Sequence, residues 1–531
     1  MSKKEIDLLT ALIGDLESQF GIDPERDQAT VLRYADRGFP CLQKMLHGLE
    51  DEATAALNGN GVYSSLLFRE LAKVSLPSVR VLSGFLTKLD TGLVQPKLIA
   101  EAELASKQNE ARLSSIRTEG RIFRYLDDFS KSFLYEDLAP ELDDLVPRHS
   151  SGAVAEGLSS LDKFSCDCCI GLHEIDATFF GKLSRVDRHA PTSARFFCVP
   201  KNASKLRAIS IEPAARQYLQ QGARRILHKY LRSTSVGKWI HDADQMVNFE
   251  ASHSIGCATI DMSNASDSVR CSHVYTLFSR WKWFRRFLFA TRSPKLAFDT
   301  ELLPLVRYAG MGNATTFLVE SICFLAIARG AILDVASVAY DRSVRRRARR
   351  CADGLRVYGD DIVVPDSAFA GCVVSALRDA GYIVNATKTC IVGSFRESCG
   401  AEWYNGIDIR IPRLRRPISH YVAGSGMELE VLVDRLRRWS ANQTLRLVYR
   451  LLDSDPYSQY KMFGKHQRDM RLVYNRDIQS CEFRGLVASV VNRKVDGEDG
   501  KLRYFTSGSS VVAVRDKGTA LRLVSADVLS R

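Results

Sequence analysis

Apolar positions in the first 150 residues recur at helical spacing, as in Ile6, Leu9, Ile13 and Leu16, and predict a run of amphipathic helices. No repeat of solenoid length and no low-complexity tract stands out. From Ala194 to Leu227 an extended basic stretch leads past Pro213 into a helical pattern. From Ser254 to about Arg410 short β-prone runs alternate with helical ones, so the chemistry is expected there, in an α+β region. Beyond Pro412 helical spacing returns, with Leu429, Leu432, Val433 and Leu436 on one face and Arg437 and Arg438 near its end. A domain boundary is expected near Arg413 to Pro417.

Composition narrows the class. A chain of 531 residues with 45% apolar content exceeds one core, and roughly two to four domains are expected. The formal net charge of +12 favours a polyanionic partner such as nucleic acid. The apolar stretch from Phe317 to Tyr340 is broken by Glu320, Arg329 and Asp334, so no segment is expected to cross a bilayer. The opening Met-Ser-Lys-Lys-Glu-Ile-Asp has no apolar signal core, which predicts a soluble protein whose 13 cysteines are reduced. Cys166, Cys168 and Cys169 with His173 raise the question of zinc, but the spacing is cramped and no second CxxC follows.

The sharpest local signal is Leu355-Arg-Val-Tyr-Gly359-Asp360-Asp361-Ile-Val-Val364, where two β-prone runs flank a pair suited to a two-residue hairpin turn. An ordinary acidic turn would read the same, yet adjacent carboxylates repel and gain little unless a cation lies between them. The second signal is Ala258-Thr-Ile-Asp261-Met-Ser-Asn264-Ala-Ser-Asp267, a buried-looking strand that ends in an acid. Asp267 either serves chemistry or caps the helical pattern that follows, whereas Asp261 can reach a site shared with a neighbouring strand. Asp261, Asp360 and Asp361 could then hold two Mg²⁺ ions, which activate an attacking hydroxyl and stabilise a leaving phosphate oxygen.

Between these acids, Gly310-Met-Gly312-Asn313-Ala-Thr-Thr316-Phe-Leu-Val-Glu320-Ser321 bends on glycine into a helix that Asn313 can cap. Gly312, Thr316 and Glu320 are spaced by four, so they form either a polar stripe for a ribose or base or a solvated face. Upstream, after Lys201, Lys205 and Arg207 stand two apart in an extended segment and point to one side, a basic edge suited to a triphosphate.

Basic loop, strand with Asp261, glycine-turn helix, Tyr358-Gly-Asp-Asp361 hairpin and a helix leading to Lys388 follow in an order that resembles the motif series of right-handed viral RNA polymerases. More narrowly, Asp261-Met-Ser-Asn-Ala-Ser-Asp267-Ser, Met311-Gly-Asn313, Thr316-Phe317 with Glu320-Ser321, and Phe395-Arg-Glu-Ser-Cys-Gly400 resemble the levivirus-type replicase β subunits of RNA bacteriophages. The strong resemblance runs from about Val199 to Asp408. It implies an RNA-directed RNA polymerase that replicates a single-stranded RNA genome from ribonucleoside triphosphates and releases pyrophosphate. It also implies an α+β right hand: mainly helical fingers over 1–250 with part of 268–308, a palm of antiparallel sheet flanked by helices over 251–412, and a mainly helical thumb over 413–531.

By the same resemblance Asp261, Asp360 and Asp361 are the ligands of two Mg²⁺ ions, with Mn²⁺ as a substitute, and Lys201, Lys205 and Arg207 face the triphosphate. Asn264, Asp267, Gly312, Asn313, Thr316 and Glu320 are expected at the nucleotide, and Asp267, Asn264 and Glu320 together to sense the ribose 2′-hydroxyl. Lys388 is the candidate proton donor to pyrophosphate, a role that suits a lysine of lowered pKa, whereas an unperturbed lysine there is a simple phosphate contact. Template and product RNA are the implied partners, with host elongation factors Tu and Ts and a host ribosomal protein by analogy, in the cytoplasm of a bacterium and without a membrane.

The chain departs from that family where Arg342, Arg345, Arg346, Arg347, Arg349 and Arg350 crowd the segment before the hairpin, either as a solvated basic loop or as an added RNA contact. The rings of Trp281-Lys-Trp-Phe-Arg-Arg-Phe287 either anchor a helix in the core or stack on bases. A reverse transcriptase shares the hairpin acids but places a bulky aromatic after the first one, where this chain has Ser263, Asn264, Ser266 and Asp267. A non-enzymatic RNA-packaging protein would fit the charge and leave the three acids without a reason.

Overall fold

The computed structural model describes residues 3–89, 96–134, 147–159, 162–165, 193–202, 205–241, 244–418 and 426–453, then strands 461–463, 468–475, 480–492, 513–516 and 519–525. Cys166, Cys168, Cys169 and His173 lie outside the described residues. The chain forms two compact units, one of Asp51–Tyr63 with Val94–Arg410, the other of Met1–Glu50, Ser64–Leu93 and Ile411–Arg531.

The first unit holds every candidate site residue. In chain order it contains α1 (Pro96–Ser115), α2 (Gly120–Phe133), β1 (Ala194–Asn202), β2 (Lys205–Ile211), α3 (Ala214–Ser233), β3 (Ala258–Ile260) and β4 (Met262–Ser263). There follow β5 (Lys295–Ala297), β6 (Leu302–Pro304), α4 (Thr316–Val338), α5 (Arg342–Gly354), β7 (Arg356–Tyr358), β8 (Asp361–Val364), α6 (Ala370–Asp379), β9 (Ile383–Val384), β10 (Phe395–Ser398), β11 (Ala401–Tyr404) and β12 (Ile407–Asp408). The sheets run β3-β8-β7, β4-β9, β10-β11-β12 and β2-β1-β5-β6. All these pairings are antiparallel except β1 with β5. Mixed helix and antiparallel sheet is the α+β class expected.

α4 organises the core. Leu318, Ile322, Phe324, Leu325, Ile327 and Ile332 are buried all round it, which is the mark of a helix enclosed by protein. Each large apolar side chain so buried gains roughly 1.5–3 kcal/mol of transfer free energy. By length and composition α4 could cross a membrane, with a mean hydropathy of 1.8 in its richest window, so the expectation that no segment reaches that length is corrected. That window is 78% buried inside the protein, and its interrupting charges have partners: Arg329 meets Asp353, and Tyr125 donates to Asp334. Trp281, Phe284 and Phe287 are also core, with Trp281 stacked on Phe284 at 4.3 Å between ring centroids.

In the other unit, helix Lys3–Ser18 buries Leu8, Leu9, Leu12, Ile13 and Leu16. Its Asp15 accepts the backbone N–H groups of Gln443 and Thr444 at 2.9 and 2.8 Å, capping helix Asn442–Asp453. Such a cap contributes about 1 kcal/mol. Two expectations change here. Residues 1–250 do not form one unit, because a helical stripe reports that a face is buried and not which distant segment buries it. Among the described residues after 413, helix gives way to sheet: helices Gly426–Arg438 and Asn442–Asp453 precede five strands, 461–463, 468–475, 480–492, 513–516 and 519–525, in one antiparallel sheet. β-branched runs such as Val490-Val491 carried that signal.

Candidate active site

Tyr358 pairs with Asp361, which leaves Gly359-Asp360 as a two-residue turn between β7 and β8, as the local sequence predicts. Gly359 has φ +61°, and a Cβ there would stand 2.8 Å from the Phe317 ring, so glycine is required on both counts. Its N–H donates to Ser321 Oγ at 2.9 Å, while Ser321 donates to the Phe317 carbonyl at 2.7 Å. Phe317 meets Tyr358 edge to face at 4.8 Å. The first turns of α4 therefore seat the acid-bearing turn.

Pairing of β3 with β8 ends at Ile260–Ile362, which puts Asp261 beside Asp361, between β3 and β4. Burial raises the Asp261 carboxyl to about 6; Lys388 and Asn385 oppose the rise, and Glu397 and Asp360 add to it. Asn385 Nδ2 donates to Asp261 Oδ2 at 3.1 Å, and Lys388 Nζ stands 4.0 Å from Oδ1. Asp361 is pushed well above the carboxylate range by burial, then by Glu397, Asp360 and Asp261, although the Cys399 N–H donates to it at 3.0 Å. The acids are under mutual repulsion. Among the described residues no three Asp, Glu, His or Cys side chains converge closely enough to hold a metal ion as they stand. In chemistry the donor set fits a hard divalent cation, being carboxylate oxygens whose repulsion such an ion would relieve.

Lys388 falls on the phosphate-contact side of its two readings. Burial alone would lower its pKa, but Asp261, Glu397, Asp361 and Asp360 together raise it, so the lysine is held as a cation and not tuned downward. Lys201 shows how the basic edge relates to the acids: its pKa is lowered by burial, Lys388, Arg207 and Lys205, with Asp261 opposing. In the hairpin β1–β2, Val199 pairs with Arg207 and Asn202 with Lys205, and Lys205 and Arg207 are both exposed. Lys201 thus feels the charges of Lys388, Arg207, Lys205 and Asp261, and Lys388 stands 4.0 Å from Asp261.

The expected sugar residues divide. Glu320 is 5% exposed, and its Oε2 has no hydrogen-bond partner among the described residues. Burial pushes its carboxyl up to about 8, a hydrogen bond from Ser266 opposes, and Asp360 and Asp267 add to the rise. Asp267 lies in the short 3₁₀ turn Ser266–Ser268 and does not cap the next helix. Burial raises its pKa against the pull of Arg307, whose Nη1 is 3.4 Å from Asp267 and 3.3 Å from Glu110. Asn264, at φ +52°, is exposed.

Asn313 does not cap α4: Thr315 holds that position. Asn313 Oδ1 accepts the Thr315 N–H at 2.9 Å, and its amide donates to Glu212 at 3.1 Å, because an Asx turn closes locally two residues on. Gly312 precedes the helix at φ +121°, where a Cβ would collide with the Ser210 carbonyl. Thr316 donates to the Gly310 carbonyl at 3.0 Å. Thr316 and Glu320 are buried and Gly312 is exposed, so the helical part of the stripe is not a solvated face, and Thr316 and the neighbouring Asn313 hold the glycine turn in place.

Sequence reasoning missed Glu397, Asn385, Arg307 and Glu110, and named Ser266 and Ser321 without giving them the contacts found here. Glu397 stands inside the quoted Phe395-Arg-Glu-Ser-Cys-Gly400 run. Asn385 was legible as an Asx turn leading to Lys388, whose N–H it accepts at 3.4 Å. Arg307 and Glu110 left no signal, because their pairing across 197 positions exists only in the fold.

A family model described as RNA replicase, beta-chain, matches residues 180–472, more than half of the chain. The RNA-directed RNA polymerase beta chain of Escherichia phage MS2 is 31% identical over 243 residues, which are 46% of this chain and 41% of that one. The RNA-directed RNA polymerase subunit beta of Escherichia virus Qbeta is 33% identical over 249 residues, 46% of this chain and 38% of that one. The matched part spans about two fifths of the length of these relatives. Among solved structures, the RNA-dependent RNA polymerase of a human picorbirnavirus aligns at 10% identity and a TM-score of 0.45, over 66% of this chain and 73% of that one.

Proposed function

The chain belongs to the RNA replicase, beta-chain, family, and from that premise and the site geometry we propose that it is an RNA-directed RNA polymerase that replicates a bacteriophage genome. The observation that carries the reading is the meeting of a basic edge with an acid cluster: Lys201 senses Asp261 and Lys388, while Lys388 senses Asp261, Asp360, Asp361 and Glu397. Phosphoryl transfer from a triphosphate needs both, cations for the phosphates and acids for the metal.

Asp261, Asp360 and Asp361 would hold two divalent cations, Mg²⁺ by their oxygen chemistry with Mn²⁺ as substitute. When bound, these ions activate the 3′-hydroxyl and stabilise the leaving oxygen. Lys201, Lys205 and Arg207 neutralise the triphosphate as the hydroxyl attacks its α-phosphate. Lys388, already a cation, is a phosphate contact for the leaving pyrophosphate, and gives up a proton only once the acids around it are neutralised. Glu320, kept protonated with one free oxygen, offers the ribose 2′-hydroxyl a buried partner beside Ser266 and Asp267. In a right hand, the β3-β8-β7 sheet with α4 and α6 is the palm, and the β1–β2 hairpin belongs to the fingers. RNA is the template and product, host elongation factors Tu and Ts with a ribosomal protein are the expected company, and the bacterial cytoplasm is the place of action.

The test is incorporation of labelled ribonucleotides on an RNA template, with and without chelator, by the chain purified alone and with whatever host proteins accompany it. Metal-dependent, template-directed products that deoxyribonucleotides do not replace are expected. Failure of every preparation to extend RNA would sink the reading.

A further inference from the structure

The arginine-rich segment before the hairpin is a helix and not a loop. Asp341 caps α5 by accepting the Ser343 N–H at 2.7 Å, and Ala348, Cys351 and Ala352 bury its inner face. Two of its arginines serve the fold. Arg345 donates to the carbonyls of Ala339 and Tyr340 at 2.8 and 3.2 Å, and Arg347 pairs with Asp366, Nη2 to Oδ1 at 2.7 Å. The helix's own acid, Asp353, is taken by Arg329.

Arg342, Arg346, Arg349 and Arg350 remain, all exposed, with no hydrogen bond or ion pair among the described residues. Their spacing of four, three and one places them along one face, a stripe about 12 Å long at helical rise. Like charges at these spacings cost a few tenths of a kcal/mol per pair, and nothing within the described fold offsets that cost.

We propose that this stripe binds the phosphate backbone of RNA at a place distinct from the acid cluster. Guanidinium groups favour phosphate in paired hydrogen bonds, and a stripe of this length covers about three phosphates of one strand. Tyr340, 97% exposed at the head of the helix, adds a ring on which a base can stack. The other end of α5 runs through Leu355 into β7, whose three extended residues, roughly 10 Å, lead to the turn with Asp360 and Asp361. RNA held on the stripe is thereby close to the site without occupying it. The choice of RNA among polyanions rests on the polymerase reading; the geometry of the stripe does not.

The experiment measures the dissociation constant of a single-stranded RNA of about 30 nucleotides against salt, without triphosphates or metal. It compares the wild type, a fourfold Gln variant (R342Q, R346Q, R349Q, R350Q) and the matching fourfold Lys variant. The Gln variant should bind about 10- to 100-fold more weakly near 0.1 M salt, with a salt slope smaller by about two to three units. The Lys variant should keep most of the slope, and thermal unfolding of neither should fall below the wild type's, since the four side chains make no hydrogen bond or ion pair among the described residues. Equal affinity and slope in the Gln variant overturn the proposal, as does a loss confined to an acidic polypeptide such as polyglutamate. A wild type that binds RNA through the stripe yet never extends it would defeat the polymerase reading alone.

Discussion

Two sets of carboxylates in the same unit differ in how their charge is met. Asp261 and Asp361 sit with Glu397 and Asp360 close to Lys388, with Lys201 near Asp261, and burial and mutual repulsion still lift both above the carboxylate range. Glu110 and Asp267 share Arg307, itself 2% exposed, and Glu110 also accepts the Val306 N–H at 2.7 Å. Burial raises the second set as well, but Arg307 pulls against that rise and ties both carboxylates into the fold. The first is left short of positive charge, which is what a site awaiting cations requires and what folding alone would remove.

The sharpest break of this contrast is Asp261→Asn or Asp360→Asn. Each removes a metal ligand with little change of volume, so nucleotide addition should fall by at least about 10³-fold, on the scale of losing one preorganised charge contact. Folding should not suffer. For Asp361→Asn in metal-free protein the melting temperature should hold or rise, because the charge removed was repelled and buried. Extension assays and thermal melts on the same preparations check both, and a destabilised but active variant would reverse the assignment.

Next in size is Arg307→Ala, which leaves two carboxylates facing each other in a buried place. Breaking a buried pair in this way costs about 3–5 kcal/mol. The loss should appear as a lower denaturation midpoint, largely regained by pairing the change with Glu110→Gln. If the double variant is no more stable than the single one, the two groups are not coupled and the contrast fails on this side.

Asp261, Asp360 and Asp361 were legible in the sequence, whereas Glu397 and the pairing of Glu110 with Arg307 were not, for a physical reason. Asp360 and Asp361 announce themselves because a Gly-Asp turn between β-branched runs is a local event, and Asp261 because a strand ends on it. Glu110 and Arg307 find each other only after α1 and the segment before Tyr308 have packed. The same limit explains Asp15 capping a helix 428 residues away. Asn313 shows the converse: its local Asx turn was stronger than the helix cap that its spacing suggested.

Lowering the pH sharpens the comparison from a third direction, that of a buried neutral base. His273 Nε2 accepts from Arg270 at 3.2 Å, so Nδ1 carries the proton toward the Tyr382 hydroxyl at 2.9 Å. Burial first, and Arg270 second, lower its pKa to about 3. A depressed value means that the unfolded chain takes up a proton that the native state refuses. The stability is therefore whole above about 6.5 and declines as the pH falls toward 3. Between pH 7 and 5 the loss should be about 2 kcal/mol. The stability gap between wild type and His273→Gln should shrink by that amount over this range, whereas a pH-independent gap would mean that His273 is charged in the fold.

The smallest effect tests whether the first set is positioned from beneath. Ser321 Oγ is the acceptor for the Gly359 N–H, and Phe317 and Glu320 approach the same glycine, so α4 fixes the height of the turn that carries Asp360. Ser321→Ala removes the acceptor of the Gly359 N–H, worth about 1 kcal/mol, together with the local bond to the Phe317 carbonyl, and touches no proposed ligand. A merely structural serine would lower the melting temperature and leave the metal response alone. A positioning serine should raise the metal concentration for half-maximal extension about fivefold, with maximal rate at saturating metal nearly kept. Ser321→Thr, which restores the hydroxyl, should return the metal response toward wild type. If the alanine variant loses rate equally at every metal concentration, the turn is not held by this contact and the acids are placed by the sheet alone.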